Sequence, residues 1–203
     1  MTNLKAAASA LTGPLREHFD RKEAQLQAVL DRIAQTELSV LVLGPGKQPK
    51  AASAAKQALY RKRCEIRDRL NALPGISAFF PEDPGVSEYF RTRAGLSDSV
   101  LPNELVQMHF ADVIIALEPA PGAEQEVAII AANPSLGPKT LNLLPLEYLG
   151  TPTSFPALIR QGRILRRYYT PDELDACTIA SQVCPEHVRT EQTLRLVTHS
   201  AAP

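Results

Sequence analysis

Two rhythms of apolar residues alternate along the chain. Between positions 15 and 33, Leu15, Phe19, Leu26, Val29, Leu30 and Ile33 recur at helical spacing among charges, which predicts an amphipathic helix leading into the core. The period then changes. Leu38-Ser-Val-Leu-Val-Leu43, stopped by Gly44-Pro45-Gly46, predicts a buried strand and a tight loop. A helical pattern from about 51 to 73 carries Leu59, Ile66, Leu70 and Leu73 on one side and stops at Pro74-Gly75; a strand over 76–80 follows. A polar stretch and a helix near 103–110 lead to the apolar strand 112–117. Next come a helix over 123–132, closed by Asn133-Pro134, a strand over 139–144, and a proline-rich passage to 156. In the last third, 164–169 predicts a strand. Thr170-Pro171-Asp172-Glu173 is a capping box with proline at the first helical position, opening a helix to about 183, and another helix follows Pro185.

Strands alternating with helices across 38–144 imply right-handed crossovers, so the expected class is α/β: a Rossmann- or flavodoxin-like parallel sheet with helices on both faces and a C-terminal helical extension. The expected organisation is an N-terminal helix (1–36), a nucleotide-binding-type core (37–150) and an extension packed on that core (151–203). Composition narrows the function. Lys plus Arg and Asp plus Glu number 22 each in 203 residues, so no global field draws the chain to nucleic acid or an acidic membrane. The N-terminal stretch lacks a long apolar run, from which a cytoplasmic location is expected. Cys64, Cys177 and Cys184 are odd in number and lack CxxC spacing, which argues against a disulfide framework or a zinc site. Cys177 and Cys184, seven apart, could share one helix face as small apolar side chains. His18, His109, His187 and His199 show no metal-ligand spacing and build no Ser-His-Asp triad. Neither a metal nor a cofactor is expected.

In an open parallel sheet the ligand sits beyond the carboxyl ends of the strands, so the loops after the first three strands carry the candidate chemistry. Gly44-Pro45-Gly46-Lys47 offers close backbone approach and a Lys for a phosphate, but neither the spaced dinucleotide fingerprint nor a P-loop ending; a plain strand-to-helix turn fits as well. Glu82 and Asp83, after the second strand, could hold ribose hydroxyls or could be solvated turn residues. Asp112 opens the third strand, and its far end runs through Glu118 and Gly122 to Glu124 and Glu126 in the first turns of a helix, where a carboxylate comes close to whatever the loop holds. Charge is local. Residues 47–69 hold eight bases against two acids, net plus six, and residues 81–126 hold nine acids against two bases, net minus seven. The basic helix could reach a phosphorylated substrate or pair with an acidic neighbour in an oligomer; a solvated face is the simpler reading.

The set Asp112 before an apolar strand, Gly122-x-x-x-Glu126-Val-Ala, Gly44 after strand one and Phe80-Pro-Glu-Asp after strand two resembles the nucleoside deoxyribosyltransferase-like group and its TIR-like relatives over roughly 38–144. The resemblance implies cleavage or transfer of an N-glycosidic bond of a nucleoside, nucleotide or NAD. Glu126 would be the nucleophile, Glu82 and Asp83 would lie near base or sugar, and Gly44, Gly46, Asp112 and Gly122 would belong to the binding site. It also implies a homo-oligomer whose neighbour completes the pocket. The other reading is a nucleotide-sensing domain of a bacterial defence or signalling system that keeps the fold without catalysis. A lonely-guy-type phosphoribohydrolase would need a Pro-Gly-Gly-x-Gly-Thr loop, which 118–126 does not contain.

Overall fold

The computed structural model describes residues 13–47, 52–94, 100–118, 121–149 and 164–200, with side chains excepted at 94, 100–102, 121–124 and 199–200. Helix α1 (Pro14–Ala34) precedes strand β1 (Leu38–Leu43), α2 (Ala54–Asn71), β2 (Ile76–Phe79), α3 (Pro84–Ala94), α4 (Val100–Phe110), β3 (Val113–Leu117), α5 (Pro121–Ala132), β4 (Thr140–Pro145), β5 (Leu165–Tyr169), α6 (Pro171–Asp175), a π-helical turn (Ile179–Val183) and α7 (Cys184–Ser200). The five strands are all parallel in the order β2-β1-β3-β4-β5. This is the doubly wound α/β order of flavodoxin-like folds, in which the chain reverses its direction of travel between β1 and β3.

Strand period decides which side chains meet which helices. Val40, Val42, Ile115, Leu117 and Leu143 point to one face with Ile66 and Leu70 of α2, Ile179 of the π turn and Val188 of α7. Leu41, Leu43, Ile114 and Ala116 point to the other, with Met108 of α4 and Val127 and Ile130 of α5. Because both faces are covered, β1, β3 and β4 carry almost continuous burial, which is why they stand out in the sequence as unbroken apolar runs.

Three details depart from the sequence expectation. Residues 84–94 are helical, although their few apolar positions, Val86, Tyr89 and Phe90, give only a faint helical period. Asp83 starts this helix: its carbonyl accepts from Val86 and Ser87, and its carboxylate accepts from the amide of Phe80. The expected helix 171–183 breaks after Asp175, because Cys177 adopts a left-handed conformation at φ 62° and the chain resumes as a π turn. Cys177 and Cys184 therefore do not share one regular helix face. Finally α1 forms as expected but buries none of its residues, so it does not lead its apolar stripe into this core. The proline-rich residues 150–156 lie outside the described set. Among the described residues, no helix is long and apolar enough to cross a membrane.

Gly75 shows how the first crossover returns to the sheet. It sits at φ 74°, and a Cβ there would lie 2.7 Å from the Thr36 carbonyl oxygen and 2.8 Å from that of Ala34, so only glycine turns from α2 into β2 this close to the end of α1.

Candidate functional site

The carboxyl ends of β1, β2 and β3 come together around one buried guanidinium. Arg63 of α2 follows Leu59 by four residues and precedes Ile66 by three, so a charged side chain falls on the apolar stripe of the helix and is 2% exposed. It is satisfied there. Its Nε and Nη2 donate to the Val42 carbonyl at 3.2 and 2.8 Å, its Nη1 donates to the Pro45 carbonyl at 3.1 Å, and both Nη atoms reach the Glu82 carboxylate at 2.6 and 2.9 Å. Its guanidinium also stacks 4.2 Å from the centre of the Phe80 ring, which carries Arg67 at 4.3 Å as well. One side chain thus fixes the end of β1, the Gly44–Gly46 loop and the turn after β2.

Gly44 is held against this group. At φ 147° it lies where L side chains rarely go, and a Cβ would stand 3.2 Å from the Leu117 carbonyl oxygen and 3.3 Å from Cδ of Arg63. The loops after β1 and β3 therefore touch, which places Gly44 at the point where the sheet order reverses. Gly46 and Lys47, farther along the loop, are exposed.

Carboxyl groups gather on the other side of the reversal point. Glu126 of α5 is largely buried, and its Oε2 finds no hydrogen-bond partner. Burial, reinforced by the charges of Glu104 on α4 and of Glu82 and opposed by Arg63, pushes its carboxyl up to about 8. Glu104 is itself raised, first by burial and then by Glu82. Three carboxyls and one guanidinium thus share a field at the carboxyl ends of the strands. Behind them, the buried Glu118 accepts from Nδ2 of Asn142 at 2.8 Å, and the hydroxyl of Tyr169 donates to the Glu118 carbonyl; Asn142 Oδ1 is buried without a partner. These contacts tie the start of the β3–α5 connection to β4 and β5.

Not every residue expected in the site is there. Asp112 sits at the amino end of β3, the opposite end of the sheet, where its Oδ2 accepts from the amide and hydroxyl of Ser39 at 2.8 Å each and its Oδ1 meets Arg195 of α7 at 2.6 Å. That corrects the expectation of a ligand role at the carboxyl ends: Asp112 fastens α7 to β1 and β3. Asp83 holds the β2–α3 turn and lies 3.5 Å from Arg67, and Glu82 is engaged by Arg63. Gly122 lies in the first turn of α5, and the side chain of Glu124 is outside the described set. Sequence reasoning missed Arg63 and Glu104. The signal for Arg63 was its place on the stripe of Leu59, Ile66 and Leu70; Glu104 had none beyond helical spacing in a polar stretch.

Three hollows on the described surface lie elsewhere. One of about 680 Å³ is lined by Arg69, Leu73, Ser181, Glu186 and Arg189; one of about 490 Å³ by Ser39, Ala78, Phe79, Phe90 and Phe110; and one of about 300 Å³ by Asp112, Glu191 and Arg195. Glu126 lines none of them. Residues 48–51, 95–99 and 119–120, which border its end of the sheet in sequence, lie outside the described set, so the site is defined by its carboxyls and by strand order rather than by a hollow. Among the described residues no group of His, Cys, Asp and Glu is arranged to hold a metal ion. No protein-family model matches the chain, and no curated protein matches it in sequence.

Proposed function

We propose that this chain cleaves or transfers the N-glycosidic bond of a nucleoside, nucleotide or NAD, with Glu126 as the nucleophile or as the carboxylate that stabilises the transition state. The observation that carries this reading is the largely buried, strongly raised carboxyl of Glu126, its Oε2 unpartnered, beyond the carboxyl ends of the strands, the end at which α/β sheets of this order take their ligands. Glycosidic cleavage builds positive charge on the anomeric carbon. A desolvated carboxylate stabilises that charge far better than one in water, or bonds to the carbon as the base departs with the glycosidic electron pair; water or a second base then displaces it.

The carboxyl at about 8 has a kinetic consequence. At pH 7 roughly a tenth of Glu126 is ionised. A reaction that needs the carboxylate therefore rises about tenfold per pH unit up to pH 8 and levels off above it. A rate that falls over the same range instead makes Glu126 a proton donor. The test is chromatography of free base released from deoxynucleosides, nucleoside monophosphates and NAD by the parent and by Glu126→Ala. We expect release by the parent and at least a hundredfold loss in the folded variant; no release from any substrate overturns the reading.

One observation favours a second reading, a nucleotide-sensing domain. A mostly protonated carboxyl donates a hydrogen bond without performing chemistry. In that case calorimetry detects nucleotide binding that Glu126→Gln weakens only slightly, with no base formed.

A further inference from the structure

Helix α1 is a surface in need of a partner. It runs 21 residues, about 31 Å of axis, yet buries none of them, and Leu15, Phe19, Leu26, Val29 and Leu30 are between 46% and 58% exposed. Among the described residues its main packing is against α7, which itself exposes Leu194 and Val197. Solitary helices of such mixed sequence are marginal in water, so the stripe calls for cover.

Spacing says what covers it. Residues 15, 19, 22, 26, 29 and 33 follow in steps of four, three, four, three and four, the seam of a two-stranded coiled coil rather than the broader stripe of a helix laid on a sheet. Charge narrows the partner further. The helix carries Arg16, Arg21, Lys22 and Arg32 against Glu17, Asp20, Glu23 and Asp31, a balance of zero that gives no attraction to an anionic lipid surface or to a polyanion. A second copy of the same helix fits.

Lys22, alone polar in the seam, sets the direction. Parallel pairing would stack Lys22 on its own copy inside the seam, two like charges out of water. Antiparallel pairing about Ala24 sets Leu15 against the copy's Ile33, Phe19 against its Val29 and Lys22 against its Leu26. Each Lys22 then lies beside the copy's Glu23 on the same flank. Among the described residues neither Lys22 nor Glu23 has an ion-pair partner within the chain, so both are available for that cross-pairing.

We infer that the chain forms a homodimer through antiparallel pairing of α1 with its copy along the seam from Leu15 to Ile33. Because α1 packs on α7, which covers one face of the sheet, while α5 with Glu126 covers the other, the seam and the candidate site belong to opposite faces. Sedimentation velocity of the full chain should give twice the chain mass. Leu26→Glu combined with Val29→Glu, both on a helix that buries nothing within the chain, should give a monomer that keeps one cooperative urea transition for the sheet core and loses part of the helical signal as α1 frays. Gln25→Cys should cross-link under mild oxidation, because antiparallel pairing brings position 25 of each copy to one flank, and the parent should not. A monomeric parent, a dimer that survives the double substitution, cross-linking through Leu26→Cys in place of Gln25→Cys, or a parent that floats with anionic vesicles would each overturn the inference.

Discussion

Arg63 can be removed with two separate readouts. Replacing it by Met keeps most of the aliphatic stem but strands the carbonyls of Val42 and Pro45 and leaves Glu82 without its cation. Glu82 is half exposed, so water recovers part of its share, while the carbonyls lie in the dry end of β1. The sum is a loss of about 2–4 kcal/mol, readable as a lower urea midpoint at unchanged slope. The second readout is electrostatic. Arg63 holds Glu126 down against burial, so its removal should move the carboxyl still higher, seen as a later transition in carbon-13 titration of the Glu side chains. A destabilised variant whose Glu126 titrates as before would make Arg63 a structural fastening alone. At this scale the sequence was a partial guide. It set Gly44 and Glu126 beyond the carboxyl ends of β1 and β3, where the structure has them, because both follow strands whose apolar runs are unmistakable. It set Asp112 at the start of β3 but gave it a ligand's role, because a carboxylate at the start of a strand reads the same whether it faces a ligand or ties down a helix that arrives 83 residues later, at Arg195.

Elements were legible in proportion to how local their causes are. β1 begins and ends where its apolar run does, and α6 starts at its capping box, since burial on both faces and a reciprocal cap are written in adjacent residues. The break after α6 is written elsewhere. Lys62 on α2 donates to the Asp175 carbonyl at 3.1 Å and to Cys177 Sγ at 3.2 Å, closing the end of α6 from 115 residues away in sequence. Cys177 carries the strain of that closure. A non-glycine residue in the left-handed region costs about 1–2 kcal/mol, and glycine returns roughly 0.5–1 kcal/mol of that as freedom in the unfolded chain. Cys177→Gly should therefore stabilise the protein by about 0.5–1 kcal/mol in urea unfolding, although it removes the sulfur that Lys62 touches. Cys177→Ala is the control: it loses the sulfur and keeps the strained φ, so it should bring no gain. Equal stabilisation by both would trace the effect to the thiol and not to the backbone.

The whole molecule inherits an unusual dependence on pH from its buried groups. Glu126 is pushed from the ordinary 4.5 to about 8, and Glu104 and Glu191 are raised as well, all chiefly by burial. The folded chain therefore holds protons that the unfolded chain releases. Between pH 4.5 and 8 the unfolding free energy falls as pH rises: Glu126's contribution is complete below about 4.5 and gone above about 8, an upper bound of roughly 5 kcal/mol. His187 acts at the other end. Burial lowers it, and its Nε2 has no partner, so the folded chain resists protonating it and stability is lost as pH falls below 6.5. The two slopes oppose each other over the acid range, but only the carboxyls act between 6.5 and 8, so stability should decline steadily there. Glu126→Gln replaces the titrating group with a neutral amide of the same length and should flatten that decline, which urea midpoints measured from pH 5.5 to 8.5 would record. Were the variant to keep the parent's slope, the proton would belong to another buried group and Glu126 would be ionised throughout. The pH–rate rise expected of the glycosidase reading would then disappear with it, so one titration in urea constrains both the stability of the fold and the state of the carboxyl on which its proposed chemistry depends.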